Sequence, residues 1–375
     1  MEYIDLKAQY RAYKDDIDAV VIDCMTNASF ILGGVEKTFE NNFSDYIGVK
    51  HCIGCGNGTD ALQLIYMAYG VGAGDAVFCP DMTFIASIEP ACLMGATPVF
   101  CDIDYDTLNL SVDSLERQIQ NVLKEGKLVP KVIVAVDFLG NPADYEELRT
   151  VAKKYNLLLV EDAAQGTGAI YKGKKCGSLG DVGATSFFPS KPLGCFGDGG
   201  AVFTDSSEIC EVIQSLRVHG KGKTKYDNIR IGLNSRLDTV QAAVLNVKLK
   251  YMNDEIQKRQ EIAARYRDSF SGLNHMQLVR DGNVASYAQF VICMEDEAER
   301  DELKKYLEEK NVPTIVYYPN ALHNLPVFDG VECYGEDLSN AVKYGQCNLG
   351  LPFSAFLTEE DQDYVIDSVK SFWRK

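Results

Sequence analysis

The chain has 375 residues, of which 46% are hydrophobic and 24% are charged, so it can bury a large core in one large domain and a smaller one. Its formal net charge of −17 disfavours nucleic-acid binding, because a surface that neutralises phosphates needs an excess of basic residues. No stretch approaches the ~18 uninterrupted apolar residues of a membrane-spanning helix, and no N-terminal apolar run follows a basic region. These features predict a cytoplasmic protein without a membrane partner.

The cysteines are consistent with a reducing compartment. All 12 are scattered through apolar segments, which is typical of reduced, buried thiols rather than of a disulfide framework. Cys52 and Cys55 form a single CxxC motif that has no second pair and no histidine at ligand spacing. We therefore expect no bound metal.

Short apolar, β-rich runs alternate with stretches of helical period over more than half of the chain. The predicted strands are 76–79, 98–102, 132–136, 157–161, 184–188 and 201–204, and the predicted helices include 59–69 and 145–154. This rhythm predicts an α/β fold with a mostly parallel sheet flanked by helices.

Three of the predicted strands end at, or just before, an acidic residue: Asp102, Asp137 and Asp162. Ligands of parallel sheets collect beyond the carboxyl ends of the strands, so these acids are candidates for a site. Capping of the following loop is an equally good interpretation of Asp102 and Asp137.

The pattern changes after residue 204. A long polar helix at 238–270 leads to an apolar segment at 286–294, and the remaining predicted elements are a helix at 299–310, a strand at 314–318 and an amphipathic helix at 359–373. We interpret this part as a smaller C-terminal α/β domain, with 1–245 as the large domain and 246–375 as the small one.

A glycine-rich turn, Gly56-Asn57-Gly58-Thr59, stands directly before a predicted helix. Free backbone N–H groups and a hydroxyl converge there at the positive end of a helix, which makes a cradle for phosphate. Gly-Asn-Gly is also an ordinary turn, so the motif alone is a weak signal.

Lys191 follows the strand-like TSFFPSK and precedes the glycine-rich GCFGDGG, whose glycines let the backbone approach a ring or a phosphate closely. A partly desolvated amine at this place is nucleophilic enough to form a Schiff base. Asp162 ends an apolar run, where a carboxylate is costly unless it meets a cation such as a protonated pyridine nitrogen.

A phosphate cradle, an aromatic residue, a carboxylate and a lysine in this chain order are the groups that a pyridoxal phosphate site needs. The chain also contains the motifs IDLKAQY, GNGTDAL, DMTFIAS, GATPVFCDID, VEDAAQGTGAIYKGKKCGSLGD, SFFPSKPLGCFGDGGA, RVHG, IGLNSRLDTVQAAVL and VPTIVYYP. With them it resembles the fold-type I pyridoxal-phosphate enzymes, and among these the DegT/StrS-type nucleotide-sugar aminotransferases, over nearly its whole length. The resemblance implies pyridoxal 5′-phosphate as cofactor and transamination as activity.

The same resemblance implies roles around the cofactor ring. Lys191 forms the Schiff base and then moves the proton between substrate and cofactor carbons. Asp162 pairs with the pyridinium nitrogen, Gln165 meets the phenolic oxygen and Phe84 of DMTFIAS stacks on the ring.

The phosphate end of the cofactor is assigned in the same way, to Gly58, Thr59 and Ser186. In the family the asparagine of GLNSRLD reaches the phosphate from the neighbouring subunit. Asn234 therefore implies a homodimer with shared active sites.

The resemblance implies the substrate contacts less directly than the cofactor contacts, because two positions depart from the family pattern. Asp137 stands where His or Asn is common, and Tyr317-Tyr318 stand where His-Tyr is common; both positions are expected near the substrate. His323 lies in a loop that the family places near the nucleotide. Arg236 is the residue we expect to meet the substrate's negative charge.

Arg236 also ends a basic segment, 217–236, which interrupts the acidic chain with six basic residues against one acid. Without other evidence, a solvated loop is the simpler interpretation of this segment. An acidic enzyme with an anionic substrate nevertheless needs a local positive patch.

The motif variants most resemble members that aminate C3 of a UDP-linked 2-acetamido-3-keto sugar or its uronic acid, with L-glutamate as the expected amino donor. Three alternatives stay open: a C4-ketosugar aminotransferase, a sugar dehydratase on the same fold, and a regulatory protein without chemistry. Lys191 argues against the dehydratase, in which histidine replaces that lysine. The Asp162–Lys191 pair and the acidic composition argue against a DNA-binding regulator.

Overall fold

The computed structural model describes residues 1–224, 226–272 and 275–373. Its helices are α1 Leu6–Thr26, α2 Gly34–Ile47, α3 Gly58–Ala68, α4 Glu89–Leu93, α5 Val112–Glu125, α6 Tyr145–Tyr155, α7 Ser207–Leu216, α8 Thr239–Phe270, α9 Glu297–Glu309, α10 Ser339–Cys347 and α11 Glu359–Phe372. Its strands are β1 His51–Cys55, β2 Asp75–Pro80, β3 Thr97–Cys101, β4 Val129–Val136, β5 Leu158–Asp162, β6 Ile170–Tyr171, β7 Lys174–Lys175, β8 Val182–Ser186, β9 Gly200–Thr204, β10 Phe290–Cys293 and β11 Asn348–Leu351.

Seven strands form the central sheet in the order β1-β9-β8-β5-β4-β2-β3. The four pairings from β8 to β3 are parallel, whereas β9 runs antiparallel to both β8 and β1. The predicted α/β fold with a mostly parallel sheet is therefore confirmed.

The sheet is buried on both faces, which explains its near-continuous apolar strands. In β4, Val132 and Val134 pack into one core cluster while Ile133 and Ala135 pack into another. Helices cover both faces, so only the strand ends are free to form a site.

The register of the parallel strands brings the ends of three of them together. Val136 of β4 pairs with Asp162 of β5, and Asp162 pairs in turn with Ala184 of β8. Asp162 therefore lies between two neighbouring strands at their carboxyl ends.

The cysteines of the CxxC motif lie on opposite faces of β1, as residues three apart on a strand do. Cys52 packs with Phe43 and Phe203, whereas Cys55 belongs to the core that contains Val202. The two thiols therefore do not face a common metal.

The C-terminal part contains the antiparallel pair β10 and β11, packed with α9 and α11. The prediction of a strand at 314–318 is wrong. Ile315 forms a single bridge with Gly350, and the N–H of Tyr317 donates to the Asn348 side chain at 2.7 Å instead of entering a ladder. The Tyr317–Tyr318 peptide bond is cis.

Helix α8 links the two parts of the chain. Leu245 packs in a core beneath the central sheet, while Tyr266 and Phe270 of the same helix pack against the C-terminal pair of strands. Residue 245 thus lies inside a continuous helix, and a division of the chain into domains there stays a prediction.

Candidate active site

A cleft of about 620 Å³ opens at the carboxyl ends of the parallel strands. Nine of the residues singled out from the sequence line it: Gly58, Thr59, Phe84, Asp162, Gln165, Ser186, Lys191, Tyr317 and Tyr318. These residues lie up to 260 positions apart in the chain, and the fold brings them together in one cleft.

One end of the cleft is the N-terminus of α3. Asn57 caps the helix by accepting a hydrogen bond from the N–H of Asp60 at 2.8 Å, which leaves the first helical N–H groups available. Ser186, the last residue of β8, lies close to Gly58: a Cβ added to Gly58 would be 2.7 Å from the Cβ of Ser186. N–H groups and hydroxyls at a positive helix end are suited to a phosphate.

Asp162 lies in the middle of the cleft and is 6% exposed. Its carboxylate accepts hydrogen bonds from the Ser87 hydroxyl at 2.7 Å and from the Ala164 N–H at 3.1 Å. Burial raises the pKa of this carboxyl, while both hydrogen bonds and the charge of Lys191 lower it. A cationic ligand group would compensate the buried charge.

Ser87 is a site residue that the sequence analysis did not single out. Its hydroxyl bridges Asp162 and the Thr83 hydroxyl, which lies 2.9 Å away. The available signal was its position as the last residue of the DMTFIAS motif, in which only Phe84 was assigned.

Lys191 reaches the cleft from the turn after β8, where its N–H donates to the Phe188 carbonyl at 2.8 Å. Burial lowers the pKa of its ammonium group, and the negative charge of Asp162 opposes that change. A lysine with a lowered pKa loses its proton more readily and can then act as a nucleophile.

Aromatic and amide groups line the side of the cleft beyond Lys191. The Phe84 ring is 52% exposed and lies 5.8 Å from the Tyr318 ring, centroid to centroid. Gln165 accepts a hydrogen bond from the N–H of Leu139 at 2.6 Å and donates to the Tyr318 hydroxyl at 3.4 Å. A phenylalanine exposed in a concave site offers its ring face to an aromatic ligand.

Three of the predicted site residues do not line this cleft within one chain. Asn234 is exposed and forms a backbone bridge with Val218. Arg236 is half-buried, and its charge acts on the Glu36 carboxyl. His323 lines a separate depression.

His323 is held by a buried acid beside that depression. Its Nδ1 lies 2.5 Å from a carboxylate oxygen of Asp81, and its backbone N–H donates to the other oxygen at 2.9 Å. The hydrogen bond with Asp81 raises the pKa of the imidazole.

The basic segment 217–236 is only partly available to a ligand. Arg217 is 8% exposed and pairs with Glu36 at 3.0 Å and with Glu40 at 2.8 Å, so it is a structural residue. Lys225 lies outside the described residues.

The two other acids at strand ends have structural surroundings. Asp102 accepts hydrogen bonds from the N–H groups of Asn340 and Ala341 at the start of α10, a helix distant in sequence, so capping of the loop after its own strand stays a prediction. Asp137 does not line the cleft; it accepts a hydrogen bond from the Tyr145 hydroxyl at 2.8 Å.

Asp137 also lies against Glu161 and Cys176 in a buried group. Burial raises the pKa of both carboxyls, which favours a proton shared between them.

No helix within residues 1–224, 226–272 and 275–373 is long and apolar enough to cross a membrane.

Comparison with known proteins places the chain among sugar-modifying enzymes. The profile of the DegT/DnrJ/EryC1/StrS aminotransferase family matches residues 12–370. The UDP-2-acetamido-2-deoxy-3-oxo-D-glucuronate aminotransferase of Pseudomonas aeruginosa is 42% identical over 87% of this chain and 88% of its own. The UDP-N-acetyl-3-dehydro-alpha-D-glucosamine 3-aminotransferase of Acidithiobacillus ferrooxidans is 35% identical over 87% and 85%. A Geobacillus stearothermophilus relative named pleiotropic regulatory protein is 38% identical over 99% and 98%.

Solved structures agree with this placement. A DegT DnrJ EryC1 StrS aminotransferase from Brucella abortus superposes with a TM-score of 0.97 at 41% identity, over the full length of both chains. A sugar aminotransferase of Streptococcus pneumoniae in its PLP form has a TM-score of 0.86 at 26% identity, over 95% of each chain. Pyridoxal phosphate as the cofactor and transamination as the activity are thereby confirmed. Since the profile spans almost the entire sequence and the fold and cleft agree with it, this chain belongs to the DegT/DnrJ/EryC1/StrS aminotransferase family.

Proposed function

We propose that this protein transfers an amino group from L-glutamate to C3 of a UDP-linked 2-acetamido-3-keto sugar or its uronic acid. The observation that carries the proposal is the cleft that joins Lys191, Asp162 and the free N-terminus of α3. The substrate class follows from the names of the Pseudomonas and Acidithiobacillus relatives, which both act on UDP-linked 3-oxo sugars. We further propose that the reaction takes place in the cytoplasm, where thiols such as those of the scattered cysteines of this chain stay reduced.

At the N-terminus of α3, the cleft fits the phosphate group of pyridoxal phosphate. Gly58 and Thr59 would offer N–H groups to the phosphate, and Ser186 would add its hydroxyl. The 2.7 Å spacing that a Cβ on Gly58 would have to Ser186 shows how closely the two backbones approach there.

The ring end fits as well. Asp162 would hold the protonated ring nitrogen, Gln165 would donate to the phenolic oxygen and Phe84 would stack on the ring face. The buried Asp162 carboxylate is the strongest part of this fit, because it is already held by Ser87 and needs a cation.

When bound, pyridoxal phosphate supplies an aldehyde that captures amines and a ring that accepts the electron pair left on carbon. Lys191 is the catalytic residue in this proposal. Its Nζ holds the cofactor between turnovers, takes a proton from the α-carbon of the amino donor and later delivers a proton to C3 of the sugar. The lowered pKa of its ammonium group favours the neutral amine that these steps need.

The substrate side of the cleft is assigned to Tyr317 and Tyr318, with His323 toward the nucleotide. We further propose a homodimer in which Asn234 reaches the partner's phosphate site and Arg236 meets the substrate's negative charge. In support, Asn234 is exposed and outside its own chain's cleft.

Amination at C4 is the nearest alternative, because no residue of the cleft identifies the carbon. A regulatory role has one specific observation in its favour, the name of the Geobacillus relative. The Asp162–Lys191 pair would have no purpose in a protein without chemistry, so we prefer the enzyme.

A half-reaction screen tests the proposal. Holoenzyme is first converted to its amine form with L-glutamate, and UDP- and dTDP-linked 3-keto and 4-keto sugars are then offered separately. We expect the UDP-linked 2-acetamido-3-keto sugars to restore the starting cofactor absorbance fastest. Faster recovery with a 4-keto sugar would move the reaction to C4, and no recovery with any of these sugars would contradict the proposed substrate class.

A further inference from the structure

Gln289 is a polar side chain of the cleft that the roles above do not use. It is 6% exposed, and its Oε1 atom is buried without a hydrogen-bond partner among the described residues. Gln165, in the same cleft, has its own Oε1 occupied by the N–H of Leu139. A buried acceptor without a partner is costly, so a ligand group that donates to Oε1 would stabilise the complex.

The backbone before Gln289 is held in place by hydrogen bonds. The N–H of Ser286 donates to the Gly140 carbonyl at 2.8 Å, and the N–H of Ala288 donates to the Leu139 carbonyl at 3.0 Å. Strand β10 begins at the next residue. The position from which the Gln289 side chain reaches the cleft is therefore fixed.

The missing partner must be a hydrogen-bond donor. Carboxylates of an amino-acid donor and phosphates of a nucleotide only accept hydrogen bonds, so neither satisfies Oε1. Hydroxyls and ammonium groups also donate, but a secondary amide offers both an N–H for Oε1 and a carbonyl oxygen for the NH₂ of the glutamine. Such an amide stands on C2 of a 2-acetamido-3-keto sugar, next to the carbon that must meet Lys191.

We infer that Gln289 accepts a hydrogen bond from the 2-acetamido N–H of the sugar and so makes the enzyme select 2-acetamido sugars. This inference rests on the proposed function and adds a specificity-determining residue to it. A site that hydrogen-bonds a substrate group rejects the analogue that lacks the group, because its own polar atom is then left unpaired.

The test is a cycle of enzyme variants against substrate analogues. Wild-type holoenzyme, Gln289→Leu and Gln289→Met are each given the UDP-linked 3-amino sugar, its analogue without the acetamido group, and its analogue without the 4-hydroxyl. The reverse half-reaction is followed by cofactor absorbance at several sugar concentrations. Gln257→Leu, an exposed position on α8, is the matched control.

We expect either Gln289 variant to lower kcat/KM for the complete sugar by about 10- to 100-fold, mainly through KM. The loss for the sugar without the acetamido group should be at most about threefold, and Gln257→Leu should match wild type with every sugar. For wild type, the ratio of kcat/KM for the complete sugar to kcat/KM for the analogue without the acetamido group measures the selectivity directly. This ratio tests the proposal even if the variants do not fold.

Three results would overturn the assignment to the acetamido group: equal losses on all three sugars, no loss on any, or a loss that disappears only for the sugar without the 4-hydroxyl. Failure of the proposed function is distinguishable from these. It shows as wild-type enzyme that reacts with none of the 3-amino sugars, and this assignment then falls with it.

Discussion

At the scale of single residues, the chemistry depends on the Lys191 amine and the Asp162 carboxylate. Burial shifts the pKa of each group so that its charged form is less favoured. Burial raises the pKa of Asp162 and lowers that of Lys191, while the opposite charge of each works against the change. Ser87 favours the ionised carboxylate by donating to it at 2.7 Å. Burial thus favours a neutral Lys191 amine, as its nucleophilic role needs, while Ser87 and a cationic ring nitrogen would keep Asp162 ionised.

Replacement of Lys191 tests the nucleophile. Lys191→Ala should turn over at most ~10⁻³ as fast as wild type, because it removes both the covalent attachment and the proton carrier. Steady-state kinetics with L-glutamate and the keto sugar measures this, with the exposed Lys174→Ala as control. Substantial activity in Lys191→Ala would place the nucleophile elsewhere.

Replacement of Asp162 tests the partner of the ring nitrogen. Asp162→Asn keeps the size of the side chain and its contact with Ser87 but removes the charge. Turnover should fall by about 100-fold or more, since a neutral amide cannot hold a protonated ring nitrogen. The midpoint of urea unfolding should stay close to that of wild type. Wild-type rates in this variant would remove the electrostatic role.

At the scale of elements, local patterns predicted the central sheet well, because its strands are apolar runs buried on both faces. The same reasoning failed at 314–318, where Tyr317 and Tyr318 turn toward the cleft and the backbone bonds to Asn348. Ser87 and Gln289 escaped notice because their importance depends on contacts across the fold. For a serine that bonds an acid 75 positions away, the only local signal was its place in the DMTFIAS motif.

The cluster that joins α2 to the end of α7 predicts a pH dependence of stability. Burial raises the pKa of Glu36 from 4.5 to about 7, with Arg217 lowering it and Glu40 raising it. Folding therefore takes up a proton between pH 4.5 and about 7, and the stability contributed by this group falls as pH rises through that window.

Glu36→Gln should remove this slope. The free energy of unfolding of the variant minus that of wild type should increase by on the order of 2 kcal/mol from pH 5 to pH 8. Urea titrations at both values measure the difference, and the exposed Glu309→Gln is the control. An unchanged slope in Glu36→Gln would mean that Arg217 keeps Glu36 ionised throughout.

At the scale of the whole molecule, an acidic chain of net charge −17 handles an anionic substrate, so attraction must come from local groups. The N-terminus of α3 is assigned to the cofactor phosphate, so Arg236, acting in the partner's cleft, is proposed as the group that attracts the substrate.

Shared active sites can be tested by mixing two inactive chains. If Arg236 serves the partner, co-expression of Lys191→Ala with Arg236→Ala yields heterodimers in which one site carries both defects and the other carries none. Activity should recover toward one intact site per heterodimer, measured after purification through two different tags. No recovery in confirmed heterodimers would place Arg236 in its own chain's site or outside any site.

The most direct measurement is the position of the transferred nitrogen. Holoenzyme is incubated with ¹⁵N-labelled L-glutamate and a UDP-linked 2-acetamido-3-keto sugar or uronic acid, and the product is examined by ¹H–¹⁵N and ¹H–¹³C correlation spectroscopy. The account predicts ¹⁵N on C3 of the sugar, together with one equivalent of 2-oxoglutarate. A 3-keto sugar that stays unlabelled while Lys191 and its cofactor are intact would contradict it, above all if the corresponding 4-keto sugar takes up the label.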